Sequence, residues 1–155
     1  MLKIVSVLLL SMLVPLLRAA DETPAADAAK YPQDTPQKAL DSIIKALEAK
    51  DYAYYISFMV LPVDKERMLK KHGSVQKYAE SKADASQAAG MKNMVDVLKS
   101  LQKDGKTSEG THEDKTAWTR FESGKEKLQL EKQADGRWVM NLRPPTDAPK
   151  DAGKK

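Results

Sequence analysis

The chain has 155 residues, of which 41% are hydrophobic, and a formal net charge of +4 at pH 7; this length predicts a single domain. It contains no cysteine, which excludes disulfides, thiol catalysis and cysteine-ligated metal. The positive charge belongs to the two ends, because residues 21–142 hold 20 basic and 20 acidic residues. The domain-wide basic excess of nucleic-acid-binding proteins is missing, so no nucleic-acid partner is expected.

The first twenty residues, MLKIVSVLLLSMLVPLLRAA, have the pattern of a secretory signal peptide. Lys3 supplies a positive start, residues 4–17 are uncharged and apolar, and small residues follow at positions 19 and 20. The apolar run contains Pro15 and is shorter than the roughly 20 residues of a transmembrane helix. We therefore expect export to the periplasm or outside the cell, with no stable membrane anchor after residues 1–20 are removed.

Two segments of low hydrophobicity flank the central part of the chain. Residues 21–34, DETPAADAAKYPQD, are rich in Ala, Asp and Pro, with Tyr31 as the only large apolar side chain. Residues 143–155 are rich in Pro and Lys. This composition predicts a disordered linker and a disordered tail around one domain at residues 35–142.

The first half of that domain has the signals of helices. Thr35 is a good N-cap and Pro36 suits the first helical position. Asp51 is the predicted N-cap of a second helix that Pro62 ends. The apolar residues of the first helix recur at three- and four-residue spacing: Ala39, Leu40, Ile43, Ile44 and Leu47.

Further helices follow. Residues 64–71 predict a short amphipathic helix, which His72 and Gly73 end. Residues 74–89 are polar and rich in alanine, so their structure stays open. From Met91 to Leu101 apolar residues recur again at helical spacing, and Asp104-Gly105 ends that helix.

Beyond Gly105 the apolar pattern changes from helical spacing to alternation. Residues 106–112 and 116–122 predict two strands, and KLQLEKQADGRWVMNL (127–142) predicts a hairpin around Asp135-Gly136. Its alternation predicts a sheet with one apolar and one solvated face. The expected class is therefore α+β: N-terminal helices packed on a curved antiparallel sheet of three to four strands.

Two stretches carry a resemblance to a known family. TPQKALDSIIKALEAKDYAYYISFM and KLQLEKQADGRWVMNL, at this spacing, resemble the NTF2-like (cystatin-like) superfamily, especially its small exported DUF4878 or lipoprotein-like members. The resemblance implies a cone-shaped fold whose inner pocket is an active site in some families and a ligand site in others. Enzymes of the superfamily place a tyrosine, aspartate or histidine in the cone. The inward face of the first helix is apolar here, and the lipid-anchoring cysteine of exported relatives is missing.

The aromatic residues are the best candidates for lining such a pocket. Two interpretations stay open: they hold a small apolar or sugar-like ligand, or they form the core itself. Tyr55 and Trp118 are the two most expected to face a cavity. The candidate ligand-binding residues are Tyr52, Tyr55, Phe58, Trp118 and Trp138.

The residues that could carry other chemistry give no pattern. His72 suits a helix end, where a cation interacts with the helix dipole. His112, Glu113 and Asp114 are consecutive, and strand residues alternate between faces, so they rarely converge on one metal ion. No metal and no cofactor is expected.

The sequence thus favours an exported non-catalytic domain that binds a small ligand or a protein partner. The alternative is a pocket enzyme of lyase, isomerase or hydrolase type that uses a tyrosine or an acid of the cone. A homodimer through the open face of the sheet is a third possibility, because relatives often assemble in this way.

Overall fold

A computed structural model describes residues 29–143. The predicted signal peptide, residues 21–28 and nearly all of the predicted tail lie outside the described residues. Five helices precede four strands, which confirms the predicted α+β class. The helices are α1 (Pro36–Glu48), α2 (Tyr52–Phe58), α3 (Pro62–His72), α4 (Val75–Ala83) and α5 (Ala85–Asp104). The strands are β1 (Lys106–Thr111), β2 (Ala117–Ser123), β3 (Glu126–Lys132) and β4 (Trp138–Asn141).

The sheet is an antiparallel meander in the order β1-β2-β3-β4. Gly124 in the β2–β3 turn and Gly136 in the β3–β4 turn have positive φ, as the predicted hairpin at Asp135-Gly136 requires of the latter; Lys115 has positive φ in the β1–β2 turn. Helix α5 packs on β2 and β3, and α1 contacts β4. The strand residues that face these helices belong to the hydrophobic core: Phe121, Leu128, Leu130, Trp138 and Met140.

Helix α1 begins as predicted. The Thr35 hydroxyl accepts a hydrogen bond from the Lys38 backbone N–H at 3.2 Å, and Pro36 is the first helical residue. The predicted apolar stripe is buried against α5 and the sheet. The helix therefore follows directly from its cap and its periodicity.

Helix α2 is shorter than predicted, because Pro62 starts a helix instead of ending one. The helix stops at Phe58, and Val60 forms a parallel bridge with Met140. The Leu61 N–H donates to the Met140 carbonyl at 2.9 Å. Residues 59–61 thereby cover the outer edge of β4, and Pro62 occupies the first turn of α3, where it needs no N–H partner.

The alanine-rich segment after Gly73 is helical. Ser74 caps α4 by accepting from the Lys77 N–H at 3.2 Å, and Tyr78 anchors the helix with only 2% of its surface exposed. Asp84 ends α4 and also caps α5, accepting from the Ser86 N–H at 2.8 Å. Helix α4 is thus held mainly by the buried Tyr78 and has no stripe of apolar residues by which the sequence could reveal it.

The packed domain begins earlier than the predicted boundary at Thr35. Tyr31 belongs to the core, and the Gln33 carbonyl accepts from the Trp138 N–H at 2.8 Å. The Gln33 side-chain amide also donates to the carbonyls of Trp138 and Phe58 at 3.0 and 3.2 Å. The predicted linker is corrected here, because residues 31–33 are tied to the sheet edge and to α2.

No helix within residues 29–143 combines the length and apolar character of a membrane span.

Candidate ligand-binding groove

The five predicted ligand residues do not line one common cavity. Tyr55 is part of the filled core, with 2% of its surface exposed. Tyr52 borders a groove among the helices, and Phe58 borders a smaller pocket beside β4. Trp118 and Trp138 both border a pocket of about 420 Å³ near β1. Of the two interpretations of the aromatic residues, the one that makes them core residues therefore describes Tyr55.

Trp118 lies on the face of the sheet that points away from the helices. Its neighbours Thr119 and Phe121 alternate with it and point inward, where both are buried. An ideal Cβ built on Gly110, its cross-strand partner, would lie 2.4 Å from Cζ2 of the indole. Trp118 is thus seated over a glycine of the edge strand, on the outer face of the sheet.

The groove that Tyr52 borders lies between α1, α2, α4 and α5, and has a volume of about 430 Å³. Helices α4 and α5 meet at Asp84, and two short side chains, Ala83 and Ala88, line the groove near that junction beside Lys82. The alanine-rich segment leaves this space open because alanine fills little volume. The volume falls within the ~300–1,000 Å³ of ligand pockets in proteins.

The floor of the groove is apolar. Leu47 of α1, Tyr52 of α2 and Val95 of α5 are buried core residues whose remaining surface faces the groove, and the half-buried Met91 lies beside them. A ligand that covers these side chains removes apolar surface from water without requiring the core to repack.

The rim of the groove carries more positive than negative charge. Its charged residues are Lys50, Lys82, Lys92, Lys99, Glu48 and Asp96. Lys92 pairs with Asp96 at 2.6 Å, and Lys99 pairs with Glu48 at 2.5 Å. The hydrogen bond to Glu48 raises the pKa of Lys99. Lys50 and Lys82 form no ion pair with an acid in the described part of the chain, so the rim has two uncompensated cations.

Lys50 holds an unusual backbone conformation. The Lys50 N–H donates to the Leu47 carbonyl at 3.1 Å, and the Asp51 N–H donates to the Ala46 carbonyl at 2.8 Å. This is the Schellman pattern at the end of α1, in which the left-handed position usually holds glycine. Here Lys50 occupies it with φ of 57°. Lysine therefore occupies a position whose backbone conformation glycine would adopt with less strain.

Two buried tyrosines among the helices, Tyr55 and Tyr78, have raised pKa values. Burial, and secondarily Tyr52, raises the pKa of Tyr78 to about 12. Burial also raises the pKa of Tyr55 well above its usual value. A general acid or base works best with a pKa near the operating pH. These two hydroxyls are thus poorly suited to acid–base catalysis.

A second group of polar residues lies on the outer face of the sheet. The Glu131 carboxylate accepts from Asn141 at 2.6 Å and from Gln129 at 3.1 Å, with His112 Nε2 at 3.5 Å. Arg120 donates to Gln129 at 3.1 Å. Gln129 and Glu131 are buried, although alternation predicted a solvated face. Their neighbours on the adjacent strands cover them, which a single strand's pattern does not reveal.

One further expected feature, the end of a helix at His72, agrees with the structure. Helix α3 ends at His72, whose ring packs edge-on against Tyr78 with centroids 5.3 Å apart. Within residues 29–143 no three histidine, aspartate or glutamate side chains are grouped so that they could hold a metal ion.

The fold and the groove define a class of protein: a small α+β domain with an apolar, lysine-rimmed cavity among its helices. Comparison with protein-family models, with curated proteins and with solved structures returned no match. The resemblance to NTF2-like proteins accordingly stays a prediction, and function is argued from geometry.

Proposed function

We propose that this protein is an exported, non-catalytic domain that binds a small apolar ligand in the groove between α1, α2, α4 and α5. One observation carries the proposal: core residues of three helices form the apolar floor of an open cavity of about 430 Å³. Binding sites are typically concave and mostly apolar, with a few polar groups that orient the ligand. Tyr52, a predicted ligand residue, lies in this floor.

The groove favours binding over catalysis. Its lining contains neither histidine, and both of its acids, Glu48 and Asp96, form ion pairs with lysines. The raised pKa values of Tyr55 and Tyr78 make the two hydroxyls poor proton donors and acceptors. The alternative of a pocket enzyme that uses a tyrosine or an acid gains no support from these groups.

The outer face of the sheet gives less support to a homodimer or to another protein partner. Among the described large hydrophobic side chains only Val63 is exposed, and it belongs to α3. The outer face instead consists largely of the hydrogen-bonded groups around Glu131. Stable homodimers generally bury a more apolar surface.

The proposal is tested by filling the groove with a side chain. Ala88 lines the cavity, whereas its neighbour Ala89 on the same helix does not. We expect Ala88→Trp to abolish calorimetric binding of decanol, and Ala89→Trp to leave it unchanged. Equal binding by the wild type and both variants would place the ligand elsewhere, and failure of the wild type to bind either decanol or its carboxylate analogue decanoate would refute the proposal.

A further inference from the structure

We infer that the ligand of the groove is an anionic amphiphile with a single aliphatic chain, whose head group is held by Lys50 and Lys82. This inference rests on the proposed function and adds the chemical class of the ligand. It is carried by charge, by backbone conformation and by the arrangement of the rim around the floor.

The charge of the groove's rim is complementary to that of an anionic ligand. Four lysines and two acids border one cavity, and each acid already neutralises one lysine, Lys92 or Lys99. Lys50 and Lys82 are left without an acidic partner among the described residues. A ligand with one negative group would offset one of these two positive charges beside a low-dielectric apolar floor, where a charge interaction is stronger than in water.

The backbone conformation of Lys50 indicates a role for its side chain. A left-handed residue at the end of a helix is most stable as glycine, which has no Cβ to strain the backbone. Its φ of 57° therefore disfavours lysine relative to glycine at position 50. Residues with strained backbones are concentrated at functional sites, where the function of the side chain offsets the cost in stability. A head group bound by Lys50 supplies such a benefit.

Lys50 and Lys82 both lie beside the apolar floor of the groove. Lys82 Nζ lies over the Tyr78 ring, 5.7 Å from its centroid. Lys82 lines the groove together with Lys50 and Tyr52, and Tyr52 follows Lys50 by two positions. The two cations therefore border the apolar floor that contains Tyr52, Met91 and Val95, and the chain of the ligand covers this floor.

The test compares two probes that differ only in their head group, decanoate and decanol, by titration calorimetry with the intact protein. We expect decanoate to bind at least tenfold more tightly than decanol at low salt, and this difference to shrink at high salt. The double variant Lys50→Gly, Lys82→Gln should lose the preference for decanoate and keep its affinity for decanol. Because Lys50→Gly removes backbone strain, the melting temperature of the variant should not fall.

A matched control removes the same charge elsewhere. Lys77 on α4 and Lys103 on α5 are exposed and do not line the groove. The double variant Lys77→Gln, Lys103→Gln should retain the preference of the wild type. If decanol and decanoate bind the wild type equally, or if both double variants weaken decanoate alike, the inference fails while the groove remains a binding site. If neither probe binds, the proposed function fails as well.

Discussion

The positions of single residues in this protein depend on the space and the backbone conformations that neighbouring residues allow. Gly110 permits the Trp118 indole to lie over the edge strand, and Lys50 accepts a backbone conformation that glycine would adopt more easily. Neither feature is visible in a hydrophobic pattern, because both depend on partners in three dimensions. At the residue scale, substitutions should thus differ sharply between positions that carry the same amino acid.

Two glycine-to-alanine substitutions test this difference. In Gly110→Ala the new Cβ would lie 2.4 Å from the indole, so Trp118 must move and the fold should lose about 1–3 kcal/mol. Gly90 lies within α5 with no heavy atom within 4 Å of an added Cβ. Gly90→Ala should therefore stabilise the protein by about 0.5–1 kcal/mol. Urea unfolding measures both changes, and equal signs would contradict this account of Gly110.

At the scale of elements, the chain at residues 31–33 acts as a strap that joins β4 to α2. It supplies backbone and side-chain hydrogen bonds to Trp138 and Phe58, although its composition predicts a linker. Tyr31 alone could not indicate this from the sequence, because one aromatic among polar residues is common in linkers. The strap also covers part of the β4 edge that would otherwise be free to pair with another chain.

A substitution in the strap should reduce stability more than its sequence context suggests. Gln33→Ala removes two hydrogen bonds and leaves the carbonyls of Phe58 and Trp138 with fewer partners, so we expect a loss of about 1–3 kcal/mol. Asp34→Ala breaks only an exposed ion pair with Lys38 and should change stability little. The urea midpoints of the two variants decide the question. Similar midpoints would show that the strap does not hold the fold together.

The helices and strands differ in how well the sequence predicts them. Regular amphipathic patterns predict α1, α5 and the β3–β4 hairpin, because burial on one side determines which positions are apolar. Helix α4 has no such pattern: Tyr78 is its one buried residue, and the partly buried Val75 and Ala79 pack beside it. The end of α2 was also missed, since proline both ends helices and begins them, and only the pairing of Val60 with Met140 shows which applies here.

For the whole molecule, the order of helices and strands was predictable, whereas the groove was largely not. Tyr52 was a candidate from its aromatic character, but no pattern in the sequence singled out the four lysines of the rim. A groove depends on where side chains are short, as at Ala83 and Ala88, and on how two helices diverge at Asp84. Such a space between elements leaves no pattern within any one of them.

The groove also separates this molecule from what its resemblance implies. A cone would place its ligand between the sheet and the helices, but that space contains Tyr55, Ile56 and Leu130 in a filled core. The open volume lies instead among the helices.

The most direct test of the central claim is native mass spectrometry of the protein purified gently from the envelope fraction of an exporting host. The account predicts a bound species of a few hundred daltons that is retained by Ala89→Trp and lost from Ala88→Trp. A bound mass that survives in both variants would contradict the groove as its site. A bare mass in all three proteins would contradict the claim that the groove holds a ligand in the cell.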